Sequence, residues 1–501
     1  MTHHLIYGFS VVLSPINLLC CLLGVFLGTL IGVLPGLGPA ASIALLLPVT
    51  FKMPVTASLI MLAGIYYGAM YGGSTTSILV NIPGESASVV TCFDGYQMAR
   101  QGRAGRALGI AAFGSFIGGT FSIVMITLIA PPLVAAALSF GPPEFVGLML
   151  VGLTMVAFLS GESLLKALMV VLFGLILGTV GLDPIYGTQR LTFGSTTLMG
   201  GVELIPLVMG LFGISEILIN LELTIKQEVY KTKIKGLFPN KKDWQDSAGP
   251  IVRGSIFGFF LGVLPGMGAV IPTFMSYGIE KKLSKYPERF GTGVIEGVAG
   301  PETTNNAAST GGFVPLLTLG IPANVIMALL LGALIIHGVQ PGPLLMKEHP
   351  DIFWGVIVSM YIGNVMLLIL NLPMIGIWVK MLEIPYRILF PLIILFCIIG
   401  AYSVNGNYID LIILLVFGGL GYLMRKLKFE AAPLILGVIL GPMIEEALRQ
   451  SLLISRGSFS IFISRPISLG LFAFSLVLLI SSPVMAWFKK RYPELQKEEE
   501  V

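Results

Sequence analysis

The chain has 501 residues, of which 55% are hydrophobic and only 11% are charged, and its formal net charge is +4. Its mean hydropathy is +0.91. A soluble protein of this composition would expose apolar patches that aggregate, so the composition predicts an all-α polytopic membrane protein. The basic residues are confined to the loops between apolar runs, where they indicate orientation in a membrane rather than binding of nucleic acid.

The apolar segments follow one another from end to end. The first 51 residues contain no Lys, Arg, Asp or Glu, whereas a secretory signal begins with a positive region, so we expect the first segment to be an uncleaved span. The predicted spans are 15–34, 54–72, 107–130, 143–160, 164–182, 199–219, 251–268, 325–338, 353–372, 386–403, 406–424, 430–447 and 466–488. Because Gly and Pro interrupt several of them, we expect about 11–13 transmembrane helices or re-entrant hairpins.

The sequence also contains an internal duplication. The motif GVLPG-x-G closes both 24–38 and 254–268. Three further matches in the same order pair 71–85 with 310–324, 94–97 with 337–340, and 116–119 with 361–364. We interpret them as two repeats, 1–245 and 246–488, followed by a polar cytoplasmic tail at 489–501.

The charges of matching loops predict that the two repeats are inverted. The first repeat ends in the loop 221–249, whose six Lys place it in the cytoplasm. The basic segment 280–289 matches a loop near residue 52 that contains a single Lys. Since equivalent loops have opposite charge bias, we predict two inverted-topology repeats.

Both repeats contain a predicted helix break. In the first, Pro35 interrupts the helix and Gly36 and Gly38 allow a turn. The matching residues of the second repeat are Pro265, Gly266 and Gly268. A helix that begins at such a break presents free N–H groups, which suit a carboxylate ligand. The alternative interpretation is a kink that lets helices pack closely.

Two polar runs, 74–86 and 300–312, accompany the breaks. A carboxylate inside a membrane is costly unless it faces protein, water or an ion, so we predict binding sites here rather than solvated loops, which are the alternative. For the substrate the candidates, besides the break residues, are Ser74, Thr75, Thr76, Asn81, Thr303, Asn305, Asn306 and Asn324. For a coupling cation they are Glu302, Asn305, Ser309 and Thr310, placed by this prediction at a helix break; Glu85 lies in the first polar run.

Other chemistries find no support in the sequence. No Gly-rich phosphate loop followed by Lys, no G-x-S-x-G and no His/Cys cluster with metal spacing is present. We therefore predict no enzyme, no catalytic residue, no metal site and no cofactor, with Na⁺ as a possible coupling ion.

Three long motifs resemble the large membrane subunit of the tripartite tricarboxylate transporters, the TctA family. They are GVLPGLGPAASIALLLP, MYGGSTTSILVNIPGESASVVTCFDGYQMARQGRAGRALG and EGVAGPETTNNAASTGGFVPLLTLGIPANVIMALLLGAL. The family's glycine/proline motif maps onto Gly32, Pro35, Gly36 and Gly38 and again onto Gly262, Pro265, Gly266 and Gly268, and its polar motif onto Glu296, Pro301, Glu302, Asn305 and Asn306. Thr303, Thr304 and Asn324 depart from the residues expected there, and these departures bear on substrate identity.

The resemblance implies a bacterial inner-membrane, multi-pass symporter. Its expected partners are a small four-span membrane subunit and a periplasmic solute-binding protein that captures a carboxylate such as citrate. We predict binding-protein-dependent import of a di- or tricarboxylate coupled to Na⁺ or H⁺. The alternative is a passive channel or carrier for organic anions that needs no binding protein.

Overall fold

The computed structural model describes residues 2–34, 38–159, 163–183, 185–222, 234, 236–382 and 386–491. These residues are predominantly helical, and the strands among them are two antiparallel two-residue segments, β1 (Gly181–Leu182) and β2 (Gln189–Arg190). The prediction of an all-α polytopic protein is confirmed.

The helices are as follows, in chain order. The first half contains α1 (Thr2–Val12), α2 (Pro15–Val33), α3 (Pro39–Thr50), α4 (Val55–Val80), α5 (Val89–Thr91), α6 (Gln97–Arg100), α7 (Ala104–Ala137), α8 (Pro142–Leu159), α9 (Leu164–Gly178), α10 (Leu204–Val208) and α11 (Ser215–Glu222). The second half contains α12 (Lys241–Val263), α13 (Val270–Leu283), α14 (Glu296–Gly311), α15 (Phe313–Leu319), α16 (Val325–Ile336), α17 (Leu345–Glu348), α18 (Pro350–Asn371), α19 (Ile375–Met381), α20 (Tyr386–Asn405), α21 (Tyr408–Lys426), α22 (Ala432–Ile454), α23 (Ile461–Ser464) and α24 (Pro466–Arg491). Short 3₁₀ segments cover Ser86–Ser88, Thr197–Gly200 and Pro287–Arg289, and π-helical segments cover Cys92–Tyr96 and Met209–Ile214.

Seven helices of the described chain are long and apolar enough to cross a membrane. They are Pro15–Val33, Val55–Val80, Ala104–Ala137, Pro142–Leu159, Leu204–Glu222, Pro350–Asn371 and Tyr408–Lys426. Shorter apolar helices accompany them, among them α3, α9 and α16. The exact number of crossings stays a prediction.

The chain forms two compact units. The first comprises Met1–Leu138 and Glu203–Leu423, and the second comprises Ser139–Val202 and Met424–Val501. Because the first unit takes helices from both predicted repeats, the repeat boundary near residue 245 is a division of the sequence, and it stays a prediction.

In the first unit, glycines allow α2 and α4 to pack closely. Gly24 lies against the backbone of Met61, and Gly32 lies against that of Ala69. A Cβ at Gly68 would come within 2.7 Å of the Val25 carbonyl oxygen, so a side chain would force the helices apart. Since the contacts advance in the same direction along both helices, α2 and α4 run parallel.

The helices α12 and α14 repeat this arrangement. A Cβ at Gly254 would lie 2.7 Å from the Gly300 carbonyl oxygen, and Gly262 lies against Ala308. These two helices therefore also run parallel. The glycines of α12 fall at the positions that match those of α2 in the duplicated segments 24–38 and 254–268.

The matching helices of the two halves run in opposite directions. The Ser74 hydroxyl of α4 donates a hydrogen bond to Glu302 of α14. Further back along α4, the Tyr66 ring lies 6.3 Å from that of Phe313, which follows α14 in sequence. Positions that advance along α14 and α15 thus move backwards along α4, and the helices are antiparallel.

Helices α7 and α18 of this unit meet at matching sequence motifs. The Asn364 amide of α18 donates to the Phe116 carbonyl of α7 at 2.9 Å, and to the Thr120 hydroxyl at 3.0 Å. Asn364 also accepts from the Tyr71 hydroxyl of α4 at 2.7 Å. Residues 116–119 and 361–364 are one of the four sequence matches, so each of these segments packs against its own counterpart.

The second unit contains α8, α9, α22, α24 and the hairpin β1–β2. Arg449 of α22 donates to Asp183 at 2.7 Å and to Glu445 at 2.6 Å, and Arg190 reaches Glu445 at 2.9 Å. The Arg449 hydrogen bond holds the pKa of the Asp183 carboxyl below its usual range. This network of two acids and two arginines joins the hairpin to α22.

Three predicted boundaries differ in the structure. Residues 241–249, predicted as part of the loop 221–249, form the start of α12, because Asn240 and Asp243 cap it with reciprocal 2.9 Å hydrogen bonds. Residues 223–233 and 235 of that loop lie outside the described residues. The predicted span 164–182 ends as a helix at Gly178 and turns into the hairpin, and α24 continues to Arg491, into the predicted tail.

Candidate substrate and cation site

The polar run 300–312 belongs to a helix that is buried over almost its whole length. Gly, Asn, Ser and Thr have low helix propensity, yet α14 covers Glu296–Gly311. Its hydroxyls bond to carbonyls of the same helix: Thr303 to Ala299 at 2.7 Å and Thr304 to Gly300 at 2.9 Å. Small side chains and glycine contacts let α12 approach, so packing overrides propensity. The predicted placement of Glu302 at a helix break is therefore wrong.

Four predicted residues share one face of α14. Glu302, Asn305, Asn306 and Ser309 recur at spacings of three and four, which brings their side chains together on a helix. Glu302 is 0% exposed and Asn305 is 1% exposed. We call these four residues the polar stripe.

Glu302 is held by hydroxyl donors from the first half of the chain. Ser74 of α4 donates to Oε2 at 2.5 Å, and Thr91 of α5 donates to Oε1. Each carboxylate oxygen therefore accepts a hydrogen bond from a different element. Ser74 and Glu302 were predicted as separate substrate and cation candidates, and the structure brings them into contact. Thr91 is a further contact that the sequence did not indicate.

Asn305 faces a second buried carboxylate, Glu85. The Asn305 amide donates to Glu85 Oε1 at 3.0 Å, and the Ala87 backbone N–H donates to Oε2 at 2.6 Å. Glu85 is the N-cap of the short helix Ser86–Ser88 and forms a capping box with Ser88. The Asn305 Oδ1 atom is buried without a hydrogen-bond partner.

Asn306 connects the stripe to α7. Its amide donates to the Ser115 hydroxyl at 2.6 Å, and Ser309 donates to the Asn306 carbonyl at 3.1 Å. Ser115 is another contact that sequence reasoning missed, because a single Ser in an apolar helix carries no pattern.

Asn324 is the residue of the second half that matches Glu85 in the duplicated segments 71–85 and 310–324. It is the N-cap of α16, where its Oδ1 accepts from the Met327 N–H at 3.0 Å. Its amide donates to the Tyr66 hydroxyl of α4 at 3.3 Å. Immediately before it, the Ala323 carbonyl accepts from the Gly266 N–H at 2.8 Å, so the second break is bonded to this loop.

The loop 81–88 lies against elements of both halves. Gly84 lies against the Gly32 carbonyl at the end of α2. Ala87 forms a buried cluster with Ala269, at the start of α13, and Ala308 of α14. The residues that flank the two predicted breaks therefore approach the same short loop.

The two acids at the stripe, Glu302 and Glu85, have different partners from the other buried acids in this unit. Glu280 is paired with Arg253 at 2.5 Å. Asp94 accepts from the backbone N–H groups of Gly293 at 2.7 Å and Val294 at 2.9 Å. Among the ion pairs that the structure describes, none includes Glu85 or Glu302. Their charges are balanced by dipoles alone, and a buried carboxylate is costly in that situation.

A small cavity adjoins the stripe. Its volume is about 10 Å³, roughly the space of one water molecule. Its polar lining comes from Tyr71, Ser74, Thr75, Ser115 and Asn371. The stripe is thus closed over in this conformation.

The remaining predicted residues lie in several places. Pro35 and Gly36 lie outside the described residues. Gly38, the N-cap of α3, and the break residues Pro265, Gly266 and Gly268 are partly buried. Gly266 and Gly268 have φ of 84° and 55°.

The other predicted side chains have different surroundings. Thr76 donates to the Val33 carbonyl at 2.8 Å, and Thr303 packs against Gly114 and Gly118 of α7. Asn81 ends α4 in the left-handed conformation and is exposed. Thr310 is buried at the end of α14.

Comparison with known sequences decides the family. The profile described as "Tripartite tricarboxylate transporter TctA family" matches residues 18–436. The chain belongs to this family. As a TctA-family protein it is a multi-pass membrane transporter and one part of a transporter with several components.

Two relatives from Agrobacterium vitis are similar along their lengths. One, named "Uncharacterized 52.8 kDa protein in TAR-I ttuC' 3'region", is 52% identical over 473 residues, which are 94% of each chain. The other, named "Uncharacterized protein in TAR-II ttuC' 3'region", is 54% identical over 223 residues, which are 44% of this chain and 92% of that protein. No solved structure matches the chain.

Proposed function

We propose that this chain is the large membrane subunit of a secondary active transporter that imports a di- or tricarboxylate such as citrate, together with Na⁺ or H⁺. The observation that carries the proposal is the buried polar stripe of α14, which bonds to Ser74, Glu85 and Ser115 of the first half within a TctA-family membrane protein. Uncompensated acids inside a membrane protein favour a role in ion or substrate binding.

We propose that the two halves are inverted-topology repeats. The antiparallel course of α4 and α14 supports this, as does the shared packing of the parallel pairs α2–α4 and α12–α14. In such transporters the substrate and ion sites lie where the repeats meet, at the ends of interrupted helices.

We assign the substrate to the region between the two breaks. N–H groups at Gly36, Gly38, Gly266 and Gly268 are proposed donors to substrate carboxylates. Side-chain contacts favour Ser74, Asn305 and Asn306 as further donors, since they bond within or onto the polar stripe. Asn324, which bonds to Tyr66 of α4, is a fourth proposed donor. For the cation we propose oxygens of Glu302, Asn305, Ser309 and Thr310.

Transport requires this region to open. The cavity beside the stripe has space for about one water molecule, so a citrate-sized ligand needs α4 and α14 to separate. We infer that the closed packing is one state of an alternating-access cycle in which one packed body moves against another.

The partners and location follow from the family. We propose a small four-span membrane subunit, a periplasmic solute-binding protein and the bacterial inner membrane, because the TctA family is one part of a tripartite transporter.

The test is uptake of labelled citrate by vesicles that contain this chain, the small subunit and the binding protein. We expect accumulation driven by an imposed Na⁺ or proton gradient and dependent on the binding protein. Glu302→Gln should reduce uptake by at least about tenfold, since it removes a charge-assisted acceptor of two hydroxyl bonds. The matched control is Glu280→Gln, a buried acid that is paired with Arg253.

Two results would contradict the proposal. Flux that needs neither a gradient nor the binding protein would establish the passive channel instead. Full uptake by Glu302→Gln would remove that residue from the site.

A further inference from the structure

Two hydrogen-bonded pairs in this unit occupy matching positions. The alignment of 71–85 with 310–324 has an offset of 239 residues, which pairs Glu85 with Asn324. Extended back along the helices, the same offset pairs Tyr66 with Asn305. The contact Glu85–Asn305 and the contact Asn324–Tyr66 are therefore counterparts, each joining a loop of one half to a helix of the other.

The two pairs differ in charge. Both Glu85 and Asn324 cap the helix that follows them. Glu85, however, places a carboxylate at the interface of the two halves, whereas Asn324 places a neutral amide there. The counterpart of a charged pair is thus an uncharged pair on the same scaffold.

The geometry requires Glu85 to be an acceptor at both oxygens. Its donors are the Asn305 amide and the Ala87 backbone N–H, and neither can accept a proton in return. These two hydrogen bonds favour the ionised carboxylate and offset part of the cost of burying its charge. With no Lys, Arg or His among its described contacts, the charge lacks a counter-ion.

The Asn305 amide that donates to Glu85 also carries an oxygen without a hydrogen-bond donor. If the amide were flipped, Oδ1 would face a carboxylate oxygen, so the donating orientation is fixed by chemistry. That leaves Oδ1, on a side chain that is 1% exposed, buried without a donor. A carboxylate beside an orphaned amide oxygen is a set of hard oxygen ligands for a cation.

A second carboxylate strengthens the local negative potential. Glu302 lies one turn before Asn305 on the polar stripe, and it is bonded to Ser74 of α4. A Cβ at the adjacent Gly73 would lie 2.9 Å from the Glu85 side chain. Both acids therefore approach the same turn of α4, but the oxygens of Glu302 are each occupied by a hydroxyl donor.

We propose that Glu85 and Asn305 Oδ1 form a binding site for a monovalent cation, Na⁺, whereas the matching pair Asn324–Tyr66 is its uncharged counterpart. The single charge of Glu85 suits a monovalent ion. The role of this pair as the site of the coupling ion rests on the proposed function. The pair keeps Asn305 from the cation ligands proposed there and adds Glu85, because both oxygens of Glu302 already accept hydroxyl hydrogen bonds. Na⁺ binding involves only residues of this chain, so it can be measured without the other subunits.

The test is thermal unfolding of the purified full-length chain in NaCl and in choline chloride at equal ionic strength. A ligand that binds the folded state raises the unfolding temperature in a saturable way. We expect this shift with NaCl, and we expect Glu85→Gln and Asn305→Ala each to abolish it or to raise the half-saturating NaCl concentration by at least about tenfold. Glu280→Gln should keep the full shift.

Further measurements distinguish Na⁺ from other ions. Stabilisation by lower pH with no effect of NaCl would assign a proton to the site and overturn the proposal. Stabilisation by CaCl₂ or MgCl₂ but not NaCl would also overturn it, as would a full NaCl shift in both Glu85→Gln and Asn305→Ala. If one of these variants does not fold, the other decides, with binding of labelled ²²Na⁺ to the purified chain as the readout.

The outcome is separable from that of transport. A lost NaCl shift in Glu85→Gln together with failed citrate uptake by the wild type would leave the ion site in place and refute the substrate. Intact Na⁺-driven uptake, together with a NaCl shift that neither variant affects, would leave the proposed transport in place and refute the ion site.

Discussion

The loops 81–88 and 320–324 are two versions of one structural solution. Each follows a buried helix, the long α4 or the short α15. Each also caps the next helix with a side chain and bonds to a helix of the opposite half. They differ in sequence at aligned positions. The first contains a glycine and a carboxylate where the second contains Ala323 and Asn324. A duplicated backbone can therefore carry a carboxylate in one copy and a neutral amide in the other through a change of residue at the aligned position.

The largest effect is expected from Gly84→Ala. A Cβ at residue 84 would lie 2.5 Å from the Gly73 Cα and would also overlap the Gly32 carbonyl. Because both neighbours are backbone atoms, the free energy of unfolding should fall by about 2–3 kcal/mol. Thermal unfolding of the purified chain measures this.

The matched control is Ala323→Gly at the aligned position. Removing that Cβ should cost only about 1 kcal/mol, through chain entropy. Equal losses for the two substitutions would mean that the loops do not differ in packing as described.

Asn305→Ala should have the next largest effect. It removes a donor from a buried carboxylate, and hydrogen bonds to charged groups contribute about 1.5–3 kcal/mol. We expect a loss of this size in unfolding free energy, and a larger loss in citrate uptake than Tyr66→Phe causes. Unchanged stability would show that the Glu85 charge is satisfied in another way.

Asn324→Asp makes the second loop resemble the first in charge. Asp is as good an N-cap as Asn, so the fold should be retained. Ionisation of the new carboxylate should repel a carboxylate substrate and raise the apparent KM about tenfold. The defect should shrink as pH falls and the carboxyl protonates. Labelled citrate uptake as a function of pH measures it, and a defect that grows at low pH would contradict this explanation.

Tyr66→Phe should have the smallest effect. It removes one neutral hydrogen bond to Asn324, which is worth about 0.5–1.5 kcal/mol. The N-cap bond to Met327 remains. If this substitution were more damaging than Asn305→Ala in the same unfolding assay, the contrast between the charged and uncharged pairs would be reversed.

Much of the site could be predicted from sequence because it lies in polar residues that interrupt apolar helices. Ser74, Glu302, Asn305, Asn306 and Asn324 are conspicuous in such surroundings. The structure brings the first four into one region and bonds Asn324 to Tyr66 of α4. The duplication further aligned Glu85 with Asn324, which was the available signal for the role of Glu85.

The contacts that were missed have no local signature. Thr91 and Ser115 are isolated hydroxyls, and Tyr66 is an aromatic residue inside a span. Only the folded arrangement of α4, α5 and α7 gives them partners. The helical state of 300–312 was obscured by low propensity, because close packing against α12 stabilises it.

The most direct test of the central claim is a cryo-EM map of the full-length chain with citrate and NaCl. We expect ligand density against the polar stripe of α14, between the loops 81–88 and 320–324, with α4 antiparallel to α14. Ligand density away from that stripe, or parallel α4 and α14, would contradict the account.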